Sequence, residues 1–87
     1  MFTATINVTL KKSILDPQGS TVLHALSSLG FQEAKDLRIG KHFELVLDET
    51  DKAKAEARTK EMCDQLLTNP VIEDYSFDLK DGDLIQS

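Results

Sequence analysis

The chain has 87 residues, is 40% hydrophobic and 29% charged, and carries a formal net charge of −5 and one cysteine. A single domain of this size buries only roughly 60–65% of the surface its unfolded chain exposes, so a ligand pocket of about 300–1,000 Å³ would consume much of its core and a self-contained active site is not expected. The acidic balance lacks the basic footprint of a nucleic-acid binder, one thiol excludes an internal disulfide, and the lack of a signal-peptide pattern or of an apolar run near ~18 residues predicts a cytoplasmic protein, outside the membrane, with its thiol reduced.

The first segment alternates strictly. Ala4, Ile6, Val8 and Leu10 are apolar and Thr5, Asn7, Thr9 and Lys11 polar, which predicts a strand with one buried face. Asp16-Pro17-Gln18-Gly19 follows, with Asp suited to an N-cap and Pro to the first helical position. Val22, Ala25, Leu26 and Leu29 then form one helical stripe, and Gly30 with Phe31 supplies a Schellman ending. Truncating a buried Leu26 to Ala is expected to cost about 2–5 kcal/mol. Leu37 and Ile39, then Gly40-Lys41, then Phe43, Leu45 and Leu47 read as two short strands joined in a hairpin.

A second helix is predicted over 51–68, with Thr50 or Asp48 as cap. Ala55, Thr59, Met62, Cys63 and Leu66 form its apolar stripe, and Lys52, Glu56 and Lys60 a charge ladder on the solvated face. Asn69-Pro70 ends it, because the residue before Pro avoids helical backbone. A last strand carries Tyr75, Phe77 and Leu79 on one face and Asp74, Ser76 and Asp78 on the other, and residues 80–87 are expected to form a loosely ordered tail.

The order β-α-β-β-α-β predicts an α+β, ferredoxin-like sandwich: a four-stranded antiparallel sheet with two helices on one face, in a single domain over 1–87. The opposite face is expected to be polar, with Thr3, Thr5, Asn7 and Thr9 beside Glu44, Val46 and Asp48 and beside Ile72, Asp74, Ser76 and Asp78. An antiparallel sheet tolerates water or a partner there.

Nothing in this order assembles a nucleophile with an oriented base. Cys63 sits on a buried stripe, and His24 and His42 read as surface residues. These three residues do not share metal-ligand spacing. Glu73 and Asp74 are adjacent in a strand and point to opposite faces, so they cannot act on one substrate. Arg38 and Lys41 flank a glycine without the glycine-rich loop opening a helix that cradles a nucleotide. Their readings are exposed turn charges or contact with a protein partner.

Four segments, Ile14-Leu15-Asp16-Pro17-Gln18-Gly19, Leu26…Leu29-Gly30-Phe31, Arg38-Ile39-Gly40-Lys41 and Leu66-Leu67-Thr68-Asn69-Pro70-Val71-Ile72-Glu73-Asp74-Tyr75, together resemble the PurS family, small subunits of phosphoribosylformylglycinamidine (FGAM) synthase. The resemblance runs from about residue 3 to 79. It implies a non-catalytic subunit in de novo purine synthesis, in a complex that uses ATP and Mg to make FGAM from formylglycinamide ribonucleotide and glutamine. The implied partners are the synthetase PurL and the glutaminase PurQ, which a homodimer or homotetramer of this subunit would bridge while assisting ammonia transfer. No cofactor, metal or catalytic residue is implied for this chain itself. The partner-contact candidates are Arg38, Lys41, Asn69 and Asp74, from exposure and motif membership. The other reading is an ACT-like regulatory module binding an amino acid at a dimer interface, which shares the element order and an Asp-Pro turn.

Overall fold

The computed structural model describes residues 1–85. Strand β1 (Phe2–Leu10) is followed by helix α1 (Pro17–Ser28), strand β2 (Gly40–Leu47), helix α2 (Lys52–Met62), a π-helical turn over Cys63–Leu67, and strand β3 (Glu73–Asp81). The sheet is antiparallel in the order β2-β1-β3. Alternation in β1 does what its period dictates: Ala4, Ile6 and Val8 are buried. Leu45 and Leu79 flank Ala4, and Phe43 and Phe77 flank Ile6. Helix α2 covers this face over β1 and β3, burying Ala55, Thr59 and Cys63.

Within the strands the polar face has the predicted composition, while Asp48 and Ile72 fall outside β2 and β3. Thr5 lies between Glu44 and Asp78, Asn7 between His42 and Ser76, and Thr9 between Gly40 and Asp74. Thr3 is the exception in being buried. The chain after β3 crosses it, with the Thr3 hydroxyl donating to the Gly82 carbonyl at 2.7 Å and accepting from the Leu84 amide at 3.0 Å. Residues 80 and 81 thus belong to β3, and residues 86 and 87 of the predicted tail lie outside the described residues.

Two features differ from the ferredoxin-like expectation. The described residues contain three strands, not four, because the stretch around Leu37 and Ile39 is not a strand. Its amides are taken by carboxylates: the Leu37 N–H donates to Asp36 and the Ile39 N–H to Asp16, each at 2.9 Å. A ladder cannot form from donors already committed elsewhere. The predicted hairpin is therefore a loop leading into β2.

The second difference is that α1 does not join α2 on the sheet. Its one buried residue is Gly19, and Val22, Leu29 and Phe31 are 40%, 74% and 49% exposed. The helix ends are as predicted. Asp16 accepts from the Gly19 amide, Pro17 opens the helix, and Gly30 takes φ 101°. The Schellman pair is formed by the Phe31 amide on the Leu26 carbonyl and the Gly30 amide on the Ser27 carbonyl. With α1 off the sheet, the β2 flank of the apolar face, carrying Phe43 and Leu45, stays half-buried.

Candidate functional site

Three of the four segments that carry the resemblance meet at one end of the sheet; the Leu26–Phe31 end of α1 stands apart. Asp16, Ile39, Lys41 and Glu73 line a cleft of about 220 Å³ over Val8 and Leu10. Asp16 serves two chain segments at once: one carboxylate oxygen caps α1 through the Gly19 amide and the other accepts the Ile39 amide, both at 2.9 Å. These two amides, Ile39 first, hold its carboxyl below the ordinary carboxylate range, with the Arg38 charge adding to the effect. Gly19 is required by the same contact, since a Cβ there would stand 2.6 Å from the Leu37 carbonyl. The Asp-Pro-Gln-Gly motif therefore pins the start of α1 to the approach of β2.

The segment from Asn69 to Tyr75 is a second lock. The Asn69 side chain accepts the Val71 amide at 3.1 Å, while its carbonyl accepts the amides of Ile72 and Glu73. The Asn69 amide donates to Glu73 Oε1 at 2.8 Å, and Glu73 Oε2 faces Lys41 Nζ at 3.4 Å. The Asn69 amide first, then Lys41, holds the Glu73 carboxyl below its ordinary value, against the opposing effect of burial. Tyr75 stacks on Phe77 at 6.4 Å and donates its hydroxyl to Asp64 at 2.9 Å. Asp64 also takes Lys60 at 3.1 Å.

The four candidate contact residues fare differently. Arg38 is occupied within the chain: its guanidinium donates to the carbonyls of Leu10 at 2.7 Å and Lys12 at 3.1 Å, holding the turn after β1. Lys41 carries the ion pair to Glu73 and remains half-exposed. Asn69 is spent on its own loop. Asp74 is exposed on the polar face beside Thr9. The structure brings Lys41 and Asn69 together through Glu73, while Asp74 stands on the opposite face. Sequence reasoning reads Glu73 as exposed or bonded to backbone at the strand entrance, with a partner contact as the second reading; the backbone bond is present, but its partners Asn69 and Lys41 leave no local signal.

The remaining chemistry-bearing side chains stand apart from this cleft. Cys63 is fully buried, and desolvation, then the Asp64 charge, pushes its thiol up. A thiol so placed is a core residue rather than a nucleophile. His42 is exposed, bonded to Asn7 at 2.8 Å and 3.5 Å from Glu44. Among the described residues no group of three or more His, Cys, Asp or Glu side chains is placed to hold a metal ion, and no helix is long and apolar enough to cross a membrane. Both carboxylates that line the cleft, Asp16 and Glu73, are committed to the chain's own amides or to Lys41.

Comparison with known proteins places these features. Residues 3–81 match the family described as PurS: Phosphoribosylformylglycinamidine (FGAM) synthase. The chain is 46% identical over 81 residues to phosphoribosylformylglycinamidine synthase subunit PurS of Bacillus subtilis, covering 93% of this chain and 95% of that protein. It is 47% identical over 74 residues to the Synechocystis subunit of the same name, covering 85% and 74%. The solved B. subtilis PurS structure superposes with a TM-score of 0.86 at 46% identity, over 93% of this chain and 100% of that one. A chain in the structure of PurLQS from Thermotoga maritima gives 0.84 at 33% identity, over 91% and 96%. With its motif segments, its fold and nearly its whole length accounted for in this way, the chain belongs to the PurS family of FGAM synthase.

Proposed function

We propose that the chain is a non-catalytic subunit of FGAM synthase that links the glutaminase PurQ to the synthetase PurL and assists ammonia transfer between them in the cytoplasm. The observation that carries this reading is how the family's motifs are used. Asp16, Arg38, Asn69 and Glu73 hold the chain's own backbone, which is what a rigid adaptor requires of its defining residues and not what an enzyme requires. A neighbour solved as PurLQS supports the choice of partners. ATP and Mg are then used by the complex, with no cofactor held by this chain.

The physical case for such a subunit is plain. Ammonia released into water near neutral pH is largely protonated and no longer a nucleophile, so a docked, water-excluding path keeps it reactive. Contacts made only in the assembled state also couple the two activities, because binding at one subunit then shifts the population competent at the other.

The same reading includes a homo-oligomer, a dimer or a tetramer. Each copy has one helix whose apolar stripe is bare and one sheet flank, at Phe43 and Leu45, that lacks a covering helix. Both surfaces are apolar and incompletely covered, so in a two-fold contact α1 of each copy would seat on the β2 flank of the other. Gel filtration of the chain with purified PurL and PurQ in Mg-ADP and glutamine tests the assembly. Co-elution of all three is the expected result, and separate elution of this chain would sink the reading.

A further inference from the structure

We propose that the cleft between the turn after β1, the first turns of α1 and the loop before β2 binds a free α-amino acid with an aliphatic side chain. The inference stands apart from the linking role given above, and each can fail without the other.

The cleft measures about 420 Å³, and Lys12, Ile14, Leu23, Asp36, Leu37 and Arg38 are among its lining residues. It shares Asp16 with the smaller cleft at Lys41 and Glu73. Its walls are braced by the chain itself. Asp16 ties the start of α1 to the Ile39 amide. Arg38 reaches across to the Leu10 and Lys12 carbonyls. The Ile14 amide closes the turn on the Lys11 carbonyl at 2.9 Å. A cleft already formed in this way loses little conformational freedom when a ligand enters.

The lining chemistry selects the ligand. Ile14, Leu23 and Leu37 are half-buried and supply an aliphatic surface. Lys12 and Asp36 are exposed, and neither forms an ion pair among the described residues. One Asp36 oxygen accepts the Leu37 amide, which leaves the other open to a donor. Arg38 adds its charge, although its two terminal nitrogens are already bonded to carbonyls. Two cations against two carboxylates, Asp16 among them, make the cleft neutral overall. That balance disfavours a phosphate or any other dianion.

An unpaired ammonium and an unpaired carboxylate beside three aliphatic side chains match a molecule with one carboxylate, one ammonium group and one aliphatic chain. Its carboxylate would face Lys12 and the Arg38 charge, its ammonium Asp36, and its side chain Ile14, Leu23 and Leu37. Apolar walls with a few convergent polar groups are the usual make-up of a small-molecule site.

The test is calorimetric titration of L-leucine into wild-type, Lys12→Ala and Asp36→Asn chains, with melting temperatures measured alongside. Asp36→Asn keeps an oxygen for the Leu37 amide, and Lys12→Ala keeps the carbonyl that Arg38 uses, so both variants are expected to melt with wild type. The expected result is saturable binding to wild type with a Kd below about 1 mM, weakened about tenfold or more in each variant. Isocaproate, isoamylamine and glycine, which lack in turn the ammonium, the carboxylate and the aliphatic chain of leucine, are each expected to bind wild type about tenfold more weakly or worse. No binding of leucine by wild type at about 10 mM overturns the proposal. So does unchanged affinity in both variants, which would put the ligand elsewhere, or isocaproate binding as tightly as leucine, which would make the cleft a site for simple carboxylates. Should a variant melt below wild type, the ligand series on the wild-type chain decides. None of these readouts involves PurL or PurQ, so the linking role is tested separately.

Discussion

At the residue scale, the family motifs turn out to be backbone fasteners. Asp16 was legible as a helix cap from Asp16-Pro17 alone, but its second bond, to the Ile39 amide, spans 23 residues and leaves no local trace. Glu73 illustrates the same limit. Its carboxyl is held below the ordinary 4.5 by the Asn69 amide and then by Lys41, so its folded value lies below its unfolded one. The stabilisation it contributes is present above about pH 4.5 and is lost as pH falls through the folded value. Glu73→Gln is therefore expected to melt below wild type near neutral pH, with the gap closing in acid; melting curves across that range would check this, and a constant gap would contradict it. Cys63 makes the opposite kind of prediction. Buried among core residues, with its thiol pushed up, it is expected to ignore a thiol reagent until the chain is unfolded. Cys63→Ala should cost about 1 kcal/mol of stability, measured by denaturant titration, and leave complex activity within a few-fold.

At the element scale, what was legible followed local chemistry. The alternation of β1, the Asp16 cap and the Gly30-Phe31 ending of α1 are all present. The cap of α2 is Asp51 rather than Thr50 or Asp48, because the Glu49 carboxylate accepts the amides of Thr50 and Asp51 and delays the helix. The π turn was not legible, since Ala55, Thr59, Cys63 and Leu66 fit an ordinary helical stripe. Nor was the missing strand, whose donors go to carboxylates. On the solvated face of α2, the ion pairs join Arg58 to Glu61 and Lys60 to Asp64 instead of following the predicted ladder. These placements move the stability predictions. Ile6, with no exposure, is the residue whose truncation to Ala should cost about 2–5 kcal/mol. Leu26 is only half-buried, so Leu26→Ala should cost less than that in an isolated copy. Leu29→Asp, on the bare stripe of α1, should shift a self-associated chain toward monomer with little change in far-ultraviolet circular dichroism; sedimentation velocity reads the difference.

At the scale of the whole molecule, the extended shape is the main clue. The radius of gyration is 16.4 Å and the extents are 50 × 32 × 15 Å, against a radius of about 12 Å for a compact chain of this length. A small domain that leaves a helix off its sheet gives up burial it can ill spare, and regains it when another surface covers α1 and the β2 flank. The proposed assembly would cover these surfaces, although the sequence shows neither the geometry of self-association nor the surfaces used, because exposed apolar positions read in sequence like buried ones.

The most direct measurement is glutamine-dependent FGAM synthesis by purified PurL and PurQ with MgATP, with and without this chain. Synthesis that depends on adding the chain, while the chain alone turns over nothing, is the predicted result. Equal synthesis in its absence would contradict the linking role and favour a module that binds a small ligand at the interface between its copies.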